Sequence, residues 1–268
     1  MRVIVVLRSA ALAGAVFLAV AAVAQQVPKA NTSPAGSGGA NNPALVGKVE
    51  EGSAPRLPDG TPDLSGVWVG GGPVGDIREG LAPGEQIVLK PEAEALMKKR
   101  MAADDPEARC LPTGVPRVAP YPWRIVQTPS YGKATHLFFL FEGNIHSYRQ
   151  IFMDGRKHPD DLEPTWYGHS VGHWEGDTLV VETVGFNDKF WFDFQGHPHT
   201  TQLKTVERYT RTSMGKLENI VTITDPGAYQ KPFTLKFTAT LRPGWDLMEY
   251  ICNENNQDVE HIRGKAGL

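Results

Sequence analysis

This chain of 268 residues is short of cysteine, of basic runs and of helix signals. Its formal net charge is −3, with no clustered lysine or arginine, so it offers no electrostatic footprint for nucleic acid. No nucleic-acid partner is expected. No P-loop and no G-x-G-x-x-G fingerprint occurs, which disfavours nucleotide cofactors. No segment repeats at a fixed period, which disfavours a propeller or a solenoid.

What is present begins at the N-terminus. Arg2 and Arg8 precede the apolar run ALAGAVFLAVAAVA, and Ala22-Val23-Ala24 fits a small-x-small cleavage site. Residues 1–24 are therefore expected to be a signal peptide, its apolar core short for a span of roughly 20 residues. A periplasmic or secreted protein is expected, without stable membrane insertion after cleavage. Residues 25–60 are rich in Pro, Gly, Ala, Asn and Ser. With almost no large apolar side chains they cannot offset their ordering entropy, and they read as a flexible linker. Residues 61–268 suit one domain. Cysteine occurs only as Cys110 and Cys252. In an exported chain such a pair reads as a disulfide, worth ~4–5 kcal/mol for so long a loop. Two buried free thiols are the alternative.

Helix signals concentrate in PEAEALMKKRMAADD, residues 91–105. Proline leads, acids follow and bases close the stretch. Nearly everything else reads as short strands set between turns. They are LSGVWVG, IVLK, WRIVQ, ATHLFFLF, IHSYRQIFM, WYGHSVGHW, TLVVETVGF, KFWFDF, LKTVERYTR, LENIVTITD, FTLKFTATL and DLMEYICNE. A meander this long must hide its edges, which predicts an all-β antiparallel meander closed into a β-barrel. A two-sheet β-sandwich is the alternative.

Five of the eight histidines (His158, His169, His173, His197 and His199) lie between residues 154 and 200, with Trp166, Trp174 and Trp191. Aromatic walls with a few imidazoles and carboxylates are what a site for an organic ligand uses. His158 and His169 are the expected bases, with Asp160 or Asp193 orienting one of them. Arg149, Trp166, Asn187, His197 and His199 are expected to bind substrate. His169 and His173 stand in an H-x-x-x-H spacing, but on a strand they would lie ~13 Å apart and could not share a metal. No cofactor is expected, although distant ligands could still bring a transition metal to His158, His197 or His199. Ser170, central in G-H-S-V-G, lacks the strand-to-helix turn of a nucleophile elbow. Glu182, on the face of its strand opposite Leu179, Val181 and Thr183, needs solvent or a partner such as Arg149 or Arg208.

PDLSGVW, CLPTGVPR, IVQTP, RQIFMDGRKHP, PTWYGHSVGHWEGDTLVVETVGFN, VERYTR, DPGAY and EYICNEN appear in that order. The series resembles a large family of exported bacterial proteins of unknown function, and W-E-G-D-T-L-V-V is its most specific run. Family members often read C-H-E-G-N where this chain has Cys252-Asn253-Glu254-Asn255-Asn256. Gly66-Val67-Trp68 is also similar to the G-x-W of the first strand in lipocalins and related calycin barrels. That likeness implies a tryptophan closing one barrel end against Arg208 or Arg211. Haem-binding barrels of this type would make His261 or His199 a candidate ligand.

Two functions fit these features. The preferred one is a metal-independent lyase, isomerase or hydrolase that acts on a small hydrophobic or aromatic molecule through a His/Asp pair. The other is a non-catalytic, lipocalin-like carrier or sensor of an apolar ligand. An enzyme should bring two titratable groups together in one pocket, whereas a carrier should show an apolar pocket with at most one. Oligomeric state is open.

Overall fold

The computed structural model describes residues 51–73, 75–118, 121–130, 133–143, 147–254 and 261–267. The expected signal peptide and residues 25–50 of the linker lie outside the described residues. Nine strands form one closed barrel in chain order, from β1 (Gly66–Gly70) through β2 (Trp123–Ser130), β3 (Lys133–Phe141) and β4 (Ser147–Phe152). β5 (His169–Glu175), β6 (Thr178–Val184), β7 (Lys204–Ser213), β8 (Lys216–Thr224) and β9 (Phe233–Leu241) complete the ring, and β9 pairs with β1. The barrel stands and the sandwich falls.

The meander is antiparallel everywhere except at one seam. β4 and β5 run parallel, paired only through Ile151↔Ser170 and Phe152↔Val171. The seam departs from the expected antiparallel order because the long excursion Met153–Gly168 brings the chain back in the same direction, as parallel pairing requires. Three expected strands are absent. KFWFDF is irregular because Phe190, Trp191 and Phe192 are all buried, leaving none of the alternation a half-buried strand shows. IVLK contributes only the single bridge Leu89↔Tyr229, and DLMEYICNE runs largely exposed with no strand partner.

Helix α1 spans Pro91–Lys99 and stops short of the expected end at residue 105. Arg100 turns extended there to reach Gly196, and Met101 bridges Lys265, so tertiary contacts end the helix. The final residues of the expected linker also touch the barrel. Met214 N donates to Gly52 O at 2.9 Å, and Arg56 pairs with Asp177 at 2.5 Å.

Alternation drives the barrel core. Leu179, Val181 and Thr183 on β6 point inward and are fully buried, as do Thr205, Glu207, Tyr209 and Arg211 on β7. Leu217, Asn219, Val221 and Ile223 do the same on β8. Trp68, Trp123, Phe139, Phe141 and Tyr209 fill one core cluster. A second gathers Phe186, Phe190, Phe192 and Tyr229 against Val221 and Ile223 of β8 and Phe233 and Leu235 of β9. The Arg211 guanidinium stands 5.0 Å over the Trp68 ring, and its Nη1 donates to Asp63 O at 2.6 Å. Arg208 points outward to Glu175 instead.

Cys110 and Cys252 are joined by a disulfide that spans 142 residues. It ties the segment after β9 back to the turns that follow α1. Bonds of this kind persist in oxidising, non-cytoplasmic compartments. No described helix is long and apolar enough to cross a membrane.

Candidate functional site

Polar side chains gather in three places, and the first is the lumen. Arg149 on β4 forms a buried ion pair with Glu207 on β7. Its Nε donates to Ser170 Oγ at 3.0 Å and its Nη2 to Thr183 Oγ1 at 2.6 Å. Tyr209 donates to Glu207 Oε1 at 2.7 Å. Burial alone would lower the Arg149 pKa, but the Glu207 charge beside it holds it raised. A cavity of about 10 Å³ beside this network is lined by Arg149, Glu207, Tyr209, Trp123 and Phe139, with Val115, Pro116 and Val118. That is room for about one water. Around these side chains the lumen is filled rather than hollow. Arg149, expected to bind substrate, is occupied in this network, and Ser170 is buried within it.

The second place is the outer rim of β5. His158 Nδ1 and His169 Nδ1 share a hydrogen bond of 2.8 Å, so one ring donates and the other accepts. His169 stacks on Phe152 at 4.9 Å. Burial lowers the pKa of both; the His158 charge adds to the effect on His169. His158 Nε2 lies 3.4 Å from Glu182 Oε1 without hydrogen-bond alignment. Glu182 takes its main partner from Lys204 at 2.6 Å, not from Arg149 or Arg208. Asp160 is exposed and orients neither ring. The expected bases therefore meet each other, without the expected carboxylate.

The third place lies outside the barrel. The stretch Asp193-Phe194-Gln195-Gly196-His197 is a tight turn, with Gly196 in the left-handed region at φ +81°. The turn carries His197 back over Asp193, whose Oδ2 lies 2.6 Å from His197 Nδ1. Asp193 is fully buried and also accepts from the backbone N–H of Ile77 at 2.7 Å and of His197 at 3.1 Å. A carboxylate held by two backbone donors fixes the imidazole that it contacts. With Nδ1 engaged, Nε2 is the nitrogen left for chemistry. His197 lines a cleft of about 630 Å³ with Arg78, Arg100, Met97, Gln195 and Gln230.

Asp76, at the edge of this turn, brings a carboxylate oxygen within 4.8 Å of ligand atoms on Asp193 and His197. These three could in principle hold a cation, but all are engaged. Arg78 grips Asp76 at 2.5 Å, and Asp193 already serves His197 and Ile77. Burial pulls the Asp76 pKa up, and the Arg78 hydrogen bonds more than offset it, leaving it lowered. A metal linking His158 to His197 or His199 is not formed among the described residues.

The other expected binders stand away from the cleft. Asn187 caps its own loop by accepting from Lys189 N at 3.1 Å, and Trp166 packs on the second core. His199 is buried against Phe190 at 3.8 Å, and burial lowers its pKa to about 4. His261 is exposed. Asp76, Arg78, Arg100 and Gly196 were missed by sequence reasoning. Only Gly196, by its turn chemistry after Asp193, carried a signal.

No protein-family model, no curated protein and no solved structure matches the chain. The resemblances to the exported family and to lipocalins thus rest on the quoted motifs alone.

Proposed function

We propose that this protein is an exported acid–base enzyme for a small molecule, of lyase, isomerase or hydrolase type. It works from the cleft beside the barrel. One observation carries the reading: a fully buried carboxylate holds His197 by Nδ1 at the wall of a 630 Å³ cleft. That geometry fixes one tautomer and leaves an Nε2 lone pair to take a proton and return it. The cleft volume falls within the usual range for small-molecule sites. Ile87, Leu89 and Met97 supply an apolar wall, which favours a hydrophobic or aromatic body. Among the described residues, Asp76, Asp193 and His197 are the group close enough to share a cation, and their carboxylates are engaged by Arg78 and by backbone N–H groups. Export is favoured by the disulfide together with the signal-like N-terminus.

The test is a screen of small aromatic esters, hydroxy acids and enolisable carbonyl compounds against wild type, His197→Asn and His158→Ala. A turnover that falls roughly 100-fold or more in His197→Asn and persists in His158→Ala is expected, the size being that of lost general-base catalysis. Unchanged turnover in a folded His197→Asn would refute the assignment. Saturable binding without turnover in wild type would replace the enzyme with a carrier that uses the same cleft.

A further inference from the structure

We infer that the molecule taken into this cleft is a carboxylate attached to an apolar body, and that Arg100 receives the carboxylate. The inference rests on the cleft being the substrate site.

The cations around the cleft differ in what they already hold. Arg78 is held by Asp76 at 2.5 Å and Lys98 by Glu94 at 2.6 Å. Lys265 is exposed and donates to Lys98 O at 3.0 Å. Arg100 is different. Its guanidinium is partly buried and stands 4.6 Å over the Trp191 ring, and Nη1 donates to Gly196 O at 2.8 Å. No described carboxylate lies within ion-pair reach of it. Most of its five N–H donors are uncommitted. Burial lowers its pKa to about 10, which leaves it charged at neutral pH.

Asp105, Asp193 and Asp104 act on Arg100 only from beyond ion-pair distance, and burial outweighs them, so a ligand anion in direct contact would relieve a partly desolvated cation. A planar fork matches a planar carboxylate in a bidentate pair, which a lysine cannot reproduce. One unpaired guanidinium suits a monoanion. The apolar wall of Ile87, Leu89 and Met97 takes the remainder of the molecule.

Gly196 makes the arrangement possible. A Cβ there would stand 3.2 Å from Arg100 Cδ and 3.4 Å from Ala266 Cβ, on a left-handed backbone that disfavours side chains. The same glycine precedes His197. The anchoring cation and the base therefore border the same turn and the same cleft.

The experiment is calorimetric titration of the full chain with 4-phenylbutyrate, 4-phenylbutan-1-ol and 4-phenylbutylamine. Wild type is expected to bind the carboxylate about tenfold or more tighter than the alcohol, and the amine weakest, since one charge-assisted pair is worth that much. Arg100→Gln should bring the carboxylate down to the alcohol's affinity. Arg100→Lys, which keeps the charge and most of the volume, should retain part of the preference; it serves as the probe if the glutamine variant does not fold. Equal binding of carboxylate and alcohol, a preference that survives Arg100→Gln, or no binding of any of the three overturns the inference. His197→Asn separates the two readings. A folded His197→Asn that keeps the preference while turnover is also kept sinks only the acid–base assignment. Loss of the preference beside turnover that still depends on His197 sinks only the carboxylate.

Discussion

The lumen and the cleft each hold a partly or fully buried guanidinium, and they differ in what that guanidinium is paired with. In the lumen, Arg149, Glu207, Tyr209, Ser170 and Thr183 answer one another beside a cavity of about 10 Å³, while Thr205 Oγ1 and Asn219 Oδ1 stand without a partner. At the cleft, His197 has one nitrogen fixed and one free, and Arg100 has no direct ion pair among the described residues. A closed network is a structural device. An open one that faces a 630 Å³ space is the arrangement the proposed function uses.

The comparison can be broken most severely through the disulfide. Cys110→Ser with Cys252→Ser should lower stability by ~4–5 kcal/mol in denaturant titration, the chain-entropy value for a loop of this length. Because the bonded segment leads to Lys265 and Ala266 on the cleft wall, 4-phenylbutyrate binding should weaken as well. Next comes Glu207→Ala, which strands Arg149 in the lumen. A loss of ~3–5 kcal/mol is expected, with cleft binding per folded molecule unchanged. Weakened binding there would mean that the two regions are coupled.

A smaller effect separates His199 from His197. The folded-state pKa of His199 lies near 4, below the unfolded value near 6.5, so the unfolded chain binds the extra proton first. Stability is full above pH 6.5 and falls as pH drops toward 4, by on the order of 3 kcal/mol. His199→Leu should flatten that part of the stability–pH curve and leave turnover intact. The smallest effect belongs to Arg56→Ala. Its pair with Asp177 is exposed on both sides, and the melting temperature should not move measurably.

Most strands were legible because period-2 alternation survives in KTVERYTRTS and KLENIVTIT, where one face is buried and the other is only partly so, while TLVVETV reads through its β-branched run with Val180 buried as well. The aromatic run Phe190–Phe192 misled for the opposite reason, since all three side chains are buried and a loop in a core looks like a strand in letters. At the site, Asp193 and His197 were both legible as candidates, but not as partners. Their contact depends on a five-residue turn, which leaves no periodicity to read. Arg100 looked like the basic tail of a helix, and only tertiary contact distinguishes it from Lys98 and Lys99.

A ring of strands gives way first at its shortest join, and here that join is the two-residue parallel seam between β4 and β5. Arg149 crosses it, reaching from β4 to Ser170 on β5, Thr183 on β6 and Glu207 on β7. The buried network therefore acts as a rivet. Backbone amides of Ser170 and Val171 should exchange with solvent sooner than those of β7 and β8, and sooner still once the rivet is drawn.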